Sequence, residues 1–195
     1  MTTPLKNLEV IARLVPPGAR VLDLGCGSGE LLAYLMRERG CTGYGIELDD
    51  ANVLASTQRG INVIQLNLEE GLKLFDDHSF DVVLQLETLQ HLRNAEKMLR
   101  ETARVGRIGI VSFPNFAHWP NRVSVLRGRM PVTKALPYEW YDTPNIRVGT
   151  YADFEVLARK NGLQILDSFG LQDGNMVRTL PNLLASVAVF KFERS

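Results

Sequence analysis

Three glycines at alternate positions, directly after a short apolar run, constrain this chain more than any other feature. Gly25, Gly27 and Gly29 follow the run that ends at Leu24, and Asp23 lies two residues before the first glycine. Glycine lets the backbone turn sharply and lets a ligand approach without a Cβ in the way. The helical apolar pattern that follows would offer free N–H groups at its start. The segment therefore predicts a strand, a tight turn and a helix that together hold a nucleotide-like ligand.

The spacing of the glycines indicates which ligand this is. Dinucleotide-binding loops have the pattern G-x-G-x-x-G, which accommodates a pyrophosphate, whereas this chain has G-x-G-x-G. A second predicted strand ends at Glu47, a carboxylate that can accept both hydroxyls of an adenosine ribose. Asp23, the glycine loop and Glu47 together resemble the S-adenosylmethionine (SAM) site of class I methyltransferases. In the alternative interpretation, the glycines only permit a tight turn and Glu47 is a solvated carboxylate at the end of a strand.

The order of predicted elements indicates one fold class. Strand and helix patterns alternate through the first part of the chain, and two further strand patterns close it, at residues 164–169 and 186–192. This order predicts an α/β protein with a mostly parallel sheet and helices on both faces. The resemblance of the site to that of class I methyltransferases implies the Rossmann-like fold of that class, with a seven-stranded sheet and an antiparallel C-terminal strand. The length of 195 residues fits a single domain, residues 1–195.

Composition excludes several classes of function. Lysine plus arginine and aspartate plus glutamate both number 22, so no basic excess favours binding to nucleic acid. No apolar run approaches the ~20 residues of a membrane span, and no signal-peptide pattern begins the chain. Cys26 and Cys41 do not form a C-x-x-C motif, which predicts a reduced, cytoplasmic protein. The histidines at 78, 91 and 118 lack metal-ligand spacing, so no metal site is expected.

One segment, residues 114–145, does not fit the alternation, and we call it the excursion. It contains both tryptophans, Trp119 and Trp140, and five of the nine prolines. Trp119, Val123, Leu126 and Met130 have the spacing of one helix face. A long segment at the carboxyl edge of a parallel sheet is typically functional. The excursion is thus expected to be a lid or a partner-docking segment, and the alternative is a simple loop that packs its own aromatic residues.

No residue stands out as a general base for methyl transfer. The sulfonium of SAM is already activated, so an enzyme mainly aligns the acceptor, the methyl group and the sulfur. Enzymes of this fold that methylate amino nitrogens of bases often carry an Asn/Asp-Pro-Pro-aromatic turn after strand four. This chain has Gln-Leu-Glu-Thr at that position, residues 85–88, which disfavours this class of enzyme. His91 and Glu87 are weak candidates for a base or an orienting group, and a structural role for His91 is favoured. Whether the chain is an enzyme stays open.

Over nearly its full length the chain resembles the MetW family of methionine-biosynthesis proteins. The more diagnostic parts lie in or near the excursion, at residues 113–119 (Phe-Pro-Asn-Phe-Ala-His-Trp) and 140–146 (Trp-Tyr-Asp-Thr-Pro-Asn-Ile). The resemblance implies a cytoplasmic protein that binds SAM or S-adenosylhomocysteine and supports a homoserine O-acyltransferase. The alternative is a SAM-dependent methyltransferase for an unidentified small molecule, and a homo-oligomer is compatible with either function.

The residues expected to contact the cofactor come from the glycine loop and from the ends of the predicted strands. They are Asp23, Gly25, Cys26, Gly27, Gly29, Glu47, Leu48, Asn67, Leu68 and Gln85. Among them, Asp23 suits the ammonium group of the cofactor. Asn67 stands where many relatives have an aspartate that accepts from the adenine amino group, and as a neutral amide it would accept more weakly.

Overall fold

A computed structural model describes the backbone of residues 5–194 and the side chains of residues 7–194. The first four residues and the last residue of the predicted domain 1–195 therefore lie outside the described part. Strands and α-helices alternate along the chain from the first strand to the third and again from the fourth to the fifth, and only a short 3-10 helix, Leu68–Glu70, lies between the third and the fourth. The strands are β1 (Arg20–Leu24), β2 (Thr42–Glu47), β3 (Val63–Gln65), β4 (Phe80–Leu86), β5 (Gly106–Pro114), β6 (Leu163–Gln172), β7 (Asn175–Val177) and β8 (Val187–Arg194). The helices are α1 (Leu5–Ala12), α2 (Glu30–Arg39), α3 (Asp50–Gln58), α4 (Ala95–Val105), α5 (Trp119–Leu126), α6 (Tyr151–Lys160) and α7 (Pro181–Leu184).

All eight strands form one sheet with the order β3-β2-β1-β4-β5-β8-β6-β7. The first five strands in this order pair in parallel, and β8 is antiparallel to both β5 and β6. This arrangement confirms the predicted Rossmann-like methyltransferase fold. The carboxyl ends of β1, β2 and β4 meet at the same edge of the sheet, where ligands bind in folds of this kind.

The sheet is buried on both faces, which explains the continuous apolar character of its central strands. Along β1, Val21 packs into a cluster with residues of α1 and α2, while its neighbour Leu22 packs on the other face with Phe80 and Met98. A third cluster joins α4 and α6 to β5 and β8, and Phe190 lies at its centre against Phe154. Packing on both faces therefore holds the central strands in place, and with them the strand ends that form the candidate site.

The sheet has one strand more than the seven predicted from the sequence. The additional strand, β7, pairs with the end of β6 across a tight turn at Asp173 and Gly174. Both turn residues have positive φ, at 49° and 82°, as a two-residue hairpin of this type requires. The Asp-Gly dipeptide was the available sequence signal for this hairpin.

The excursion contains one helix, α5, followed by a long irregular segment. The helical face expected for Trp119, Val123, Leu126 and Met130 is only partly correct, because α5 ends at Leu126. Gly128 follows with φ at 73°, a left-handed conformation that ends the helix, and Met130 lies beyond it. The rest of the excursion, residues 127–145, contains no further helix or strand.

Candidate functional site

The glycine loop is attached to the end of the neighbouring strand. The N–H groups of Gly25 and Cys26 both donate to the carbonyl of Ile46, at 2.8 and 3.0 Å. Gly27 has φ at 55°, and a Cβ built on it would meet no atom within 4 Å. The backbone at Gly27 is therefore bare towards an open space, which is the geometry a closely bound ligand needs.

Glu47 holds this loop in place with both carboxylate oxygens. Its Oε2 accepts from the N–H of Gly27 at 2.8 Å, and its Oε1 accepts from Leu48 and Asp49 at 2.8 and 3.0 Å. A carboxylate offers about four lone-pair positions. Three are used within the protein, so Glu47 keeps about one position for a ribose hydroxyl unless the Gly27 bond is exchanged.

Asp23 is a buried carboxylate at the end of β1, only 4% exposed. It accepts no hydrogen bond from residues 7–194. Burial, reinforced by the negative charge of Glu47, raises the pKa of Asp23 to about 7 from its ordinary value of 3.8. A buried acid without a cationic partner is costly. An ammonium group placed beside it would remove that cost, so Asp23 fits the amino group of SAM.

A cavity of about 390 Å³ connects these residues at the carboxyl edge of the sheet. Eight of the ten residues predicted to contact the cofactor line it. They are Asp23, Gly25, Cys26, Gly27, Glu47, Leu48, Asn67 and Leu68. Leucines from several segments, including Leu8 and Leu31, contribute apolar surface. A buried carboxylate, a bare glycine backbone and an apolar wall are together compatible with an adenosine that carries an amino acid.

Two predicted residues lie outside the lining of this cavity. Gly29 is the residue before α2, and a Cβ there would press on Ser56 Oγ at 2.9 Å, so Gly29 serves helix packing. The side chain of Gln85 is fully buried in the sheet, and neither its amide oxygen nor its nitrogen has a hydrogen-bond partner in the part of the chain that the structure describes. The structure gives no reason for this unpaired amide.

Two other predicted residues, Asn67 and Cys26, line the cavity, and their side chains also contact neighbouring parts of the protein. The Asn67 side-chain oxygen accepts from the N–H of Glu69 at 3.0 Å, which leaves it one further lone pair for an adenine amino group. Burial raises the pKa of the Cys26 thiol to about 12, with Asp23 contributing. Cys26 therefore stays protonated at neutral pH and fills space beside the loop, where Gly45 leaves room for its sulfur.

The weak catalytic candidates Glu87 and His91 both line the cavity. Burial raises the pKa of Glu87, and its backbone has a positive φ of 49°. His91 is exposed, and its Nδ1 lies 3.1 Å from the carbonyl oxygen of Pro144 in the excursion. Because a carbonyl only accepts, Nδ1 must carry the hydrogen in this bond, which leaves Nε2 of a neutral ring as an acceptor.

The short turn that contains these residues, 87–92, also has a member that sequence reasoning missed. Thr88 is buried, and its Oγ1 lies 2.9 Å from the carbonyl of Leu24 and 3.0 Å from that of Leu86. A Cβ on Gly25 would meet the same oxygen at 2.6 Å. Thr88 therefore holds the turn against the glycine loop. No sequence pattern distinguishes this threonine from others, because its contact with the glycine loop is made to the carbonyl of Leu24, 64 residues away.

The segment that directly follows the excursion is attached to the other side of this turn. The N–H groups of Ile146 and Arg147 both donate to the carbonyl of Gln90 at 3.0 Å, and Arg147 Nη2 donates to the carbonyl of Arg93 at 2.6 Å. Turn 87–92 thus lies between the cofactor cavity and the return of the excursion.

The side-chain amide of Asn115, directly after β5, is bonded within the fold. Its Nδ2 donates to three carbonyls around α7, including that of Ala185 at 2.8 Å. Its Oδ1 accepts from the N–H groups of Ala117 and Tyr151 at 3.2 Å. The amide is 1% exposed and is used fully within the fold.

Both tryptophans of the excursion lie at the surface. Trp119 is 53% exposed and Trp140 is 70% exposed, and Tyr141 packs edge-on against Trp140. Large exposed aromatic side chains mark surfaces that bind other molecules. Their exposure is compatible with the expectation that the excursion is a partner-docking segment.

A second cavity, of about 330 Å³, lies on the other side of turn 87–92. Its walls are largely apolar and come from β5, α4, α6 and the end of the excursion. Phe113, Phe154 and Leu157 are among them. Leu89 and Gln90 line this cavity, whereas Thr88 and His91 line the first. Successive residues of one turn therefore face different cavities.

The described residues contain neither a metal-ligand group nor a helix that could span a membrane. In residues 5–194 no group of three or more His, Cys, Asp or Glu side chains is arranged to hold a metal ion. Within the same residues, every helix is too short or too polar to cross a membrane.

The chain matches a known protein family over almost its whole length. The family described as methionine biosynthesis protein MetW matches residues 5–192. A bifunctional methionine biosynthesis protein MetXA/MetW of Rhodopirellula baltica is 38% identical over 200 residues, which span 95% of this chain and 32% of that protein. A ubiquinone biosynthesis O-methyltransferase of Hahella chejuensis is 33% identical over 111 residues, or 54% of this chain and 46% of that enzyme. The chain thus spans less than half the length of both relatives.

Solved structures with little sequence similarity share the fold. The crystal structure of a SAM-dependent methyltransferase from Thermotoga maritima superposes with a TM-score of 0.72, covering 98% of this chain and 89% of that one. The sequence identity is 19%, so this similarity concerns the fold alone.

Proposed function

The chain belongs to the MetW family of methionine biosynthesis proteins, and we propose that it is a SAM-binding accessory subunit of a homoserine O-acyltransferase. The observation that carries this proposal is the Rhodopirellula baltica relative, whose name joins MetXA and MetW in one protein. Two functions that occur in one chain commonly act together, since fusion keeps them at high effective concentration. The family resemblance described above points to the same partner.

The cofactor in this proposal is SAM or S-adenosylhomocysteine. Asp23 would hold the ammonium group, Glu47 a ribose hydroxyl and Asn67 the adenine amino group. The bare backbone at Gly27 would allow the ligand to lie close to the loop. When bound, SAM supplies an activated methyl group, while the residues named here only bind and orient it. The solved SAM-dependent methyltransferases with this fold support the choice of ligand.

An accessory role is favoured because the cavity offers little for the acceptor of a methyl group. The amide of Asn115 is used within the fold. His91 is tied through Nδ1 to Pro144, and Glu87 is a weak base candidate with a strained backbone. SAM is the downstream product of methionine, so a SAM-binding subunit on an early acylation step would report the state of the pathway.

A cytoplasmic location is part of the same proposal. Cys26 and Cys41 are both free thiols, and Cys41 is buried at the start of β2. Free thiols are typical of proteins that fold and act in a reducing compartment.

The alternative function is methyl transfer to a small molecule. One observation favours it, namely that the bond from His91 Nδ1 to Pro144 leaves Nε2 as a free acceptor at the cavity. A histidine held in this tautomer is suited to take a proton from the small molecule that receives the methyl group.

Two measurements on the purified protein separate these functions. The first is calorimetry with SAM, followed by incubation of labelled SAM with a metabolite extract. The second is the activity of purified homoserine O-acyltransferase from the same organism, with and without the protein. SAM binding without turnover, together with a change in acyltransferase activity, is the expected result. Turnover of a defined acceptor with no effect on the acyltransferase would establish the alternative.

A further inference from the structure

The excursion has an excess of basic residues, although the chain as a whole has no net charge. Residues 114–145 contain four lysines and arginines but two aspartates and glutamates, and Arg147 follows shortly after. Exposed apolar side chains lie among these charges, and Leu126 (86%) and Tyr141 (71%) are the most exposed. An apolar surface with a basic border is complementary to a partner that carries apolar side chains within an acidic border.

The second cavity opens next to this surface. Its rim includes Arg147 and Val148, both exposed, and Val148 is 64% exposed. Its interior includes Phe113 and Phe154, both buried, and their rings contact each other at 5.3 Å between centroids. The volume of about 330 Å³ is ample for one large apolar side chain.

Two of the polar side chains around the cavity, Thr150 and Gln90, are bonded within the protein. Thr150 Oγ1 donates to the Asp153 carboxylate at 2.7 Å and accepts from the Asp153 N–H at 3.1 Å. Gln90 Nε2 donates to the carbonyl of Glu87 at 2.7 Å, and Arg147 is tied to Arg93. The Gln90 side-chain oxygen has no partner among the described residues, but it is closed off from solvent.

This pattern distinguishes between two kinds of occupant. Sites for small molecules combine an apolar wall with a few convergent polar groups that fix the orientation of the ligand. The wall is largely apolar, and Thr150 and Gln90 are occupied by local bonds, so few polar groups remain to orient a small molecule. A side chain that projects from a folded partner needs no such groups, because the surrounding interface orients it.

We infer that the second cavity receives one large apolar side chain from the acyltransferase, and that the basic excursion surface around it meets an acidic border on that partner. This inference rests on the proposed function, since it names the surface through which the accessory subunit acts. Interface energy concentrates in apolar anchors that fill pockets, surrounded by contacts that exclude water. The cavity and its rim have that arrangement.

A matched pair of variants on α6 tests the inference. Leu157 lines the cavity, whereas Val156, the next residue, is 61% exposed and does not line it. Leu157→Trp should reduce the volume for the anchor and weaken binding to purified homoserine O-acyltransferase by about thirty-fold or more. Val156→Trp makes a similar enlargement outside the cavity and should leave the affinity within a few-fold of the unchanged protein.

A second filling variant guards against a simple folding defect. Ala95 lines the same cavity from the first turn of α4, so Ala95→Phe should also weaken acyltransferase binding. SAM binding by calorimetry serves as the control for folding, because neither residue lines the cofactor cavity. A variant that still binds SAM but has lost the acyltransferase supports the inference.

The outcomes that contradict the inference differ from those that contradict the proposed function. If the unchanged protein does not bind the acyltransferase, the accessory role is wrong and the inference falls with it. If the unchanged protein binds it, and both filling variants bind equally well, only the inference is wrong. If the filling variants instead alter self-association in sedimentation while acyltransferase binding is unchanged, the occupant is a second copy of this chain.

Discussion

The backbone N–H of Gly27 donates to the carboxylate of Glu47 across 2.8 Å, which joins the glycine loop to the end of β2. The same carboxylate accepts from the first two N–H groups of the segment that follows it. Glu47 therefore both shapes the loop and presents an acceptor to the cavity. A substitution at this position will change the shape of the loop and the contact with the ligand together.

Glu47→Ala should weaken SAM binding by about ten-fold or more, since a hydrogen bond to a charged group contributes roughly 1.5–3 kcal/mol. Calorimetry measures the affinity, and a denaturant titration reports how much of the loss accompanies a less stable fold. Asp50→Ala removes a nearby exposed carboxylate that does not line the cavity and is the matched control. Unchanged SAM affinity in Glu47→Ala would mean that Glu47 does not contact the ligand.

Gly27→Val should abolish SAM binding, because its side chain would enter the open space where the ligand is expected. The positive φ of 55° adds strain of about 1–2 kcal/mol. Gly18→Val separates these two effects, since Gly18 also has a positive φ, 72°, with open space around it but lies at the opposite end of β1. Comparable destabilisation in both variants, with loss of SAM binding in Gly27→Val alone, is expected. Normal SAM binding by Gly27→Val would show that the loop does not hold the ligand.

The buried carboxyl of Asp23 predicts an unusual dependence of stability on pH. Its pKa is raised from 3.8 to about 7 on folding, so between these values the folded protein binds more protons than the unfolded chain. The contribution of Asp23 to the free energy of unfolding therefore falls as pH rises through this window, and the loss persists above it. The slope is at most about 1.4 kcal/mol for each pH unit.

Asp23→Asn lacks this titration, so its stability relative to the unchanged protein should increase between about pH 4 and about pH 7. Denaturant titrations of both proteins across the window provide the measurement. SAM affinity of the unchanged protein should rise over the same window, because the ammonium group needs the ionised carboxylate. A constant stability difference at all pH values would contradict the raised pKa.

Asn115→Ala should lower the free energy of unfolding by about 3 kcal/mol or more. The substitution leaves two buried N–H groups and the carbonyls around α7 without their partner, and each such group costs about 1–3 kcal/mol. Asn62→Ala removes an exposed asparagine and should change stability by less than about 0.5 kcal/mol. Thermal unfolding measures the melting temperatures of the two variants. Equal melting temperatures would contradict the structural role of Asn115.

The two exposed tryptophans should contribute to acyltransferase binding. Trp119→Ala or Trp140→Ala should each cost at least ~2 kcal/mol of binding if the residue is an anchor. The fold should be spared, since both side chains are more than half exposed. Leu74→Ala, which removes an apolar side chain that is 67% exposed outside the excursion, should have no effect on binding. A folded double tryptophan variant that binds the acyltransferase at full affinity would place the docking surface elsewhere.

The central sheet was predictable from the sequence because burial on both faces imposes a continuous apolar run. The end of β1 at Leu24 agrees with the sequence pattern for this reason. By contrast, β7 has three residues and is scarcely buried, so its sequence carries little apolar pattern. Only the Asp-Gly turn before it indicated a hairpin.

The parts of the site that lie at the ends of strands were predictable from the sequence. The parts that depend on contacts between distant segments were less predictable. The glycine loop, Asp23 and Glu47 line one cavity, since the ends of neighbouring parallel strands must meet. Gln85 lies at the end of the same strand group, but strand alternation directs its side chain into the interior. The second cavity depends on how the excursion folds back on turn 87–92, and no local pattern records such long-range contacts.

The position of β8 bears on how this protein is made. Of the eight described strands it is the last to be synthesised, yet it lies sixth in the sheet, between β5 and β6. Until it is synthesised, β6 and β7 have no partner in the rest of the sheet, and the edge of β5 stays open to other chains. The cofactor edge, built from β1, β2 and β4, can assemble earlier during translation. Completion of the fold therefore waits for the final residues of β8, and a nascent chain that stalls before them exposes an unpaired strand edge.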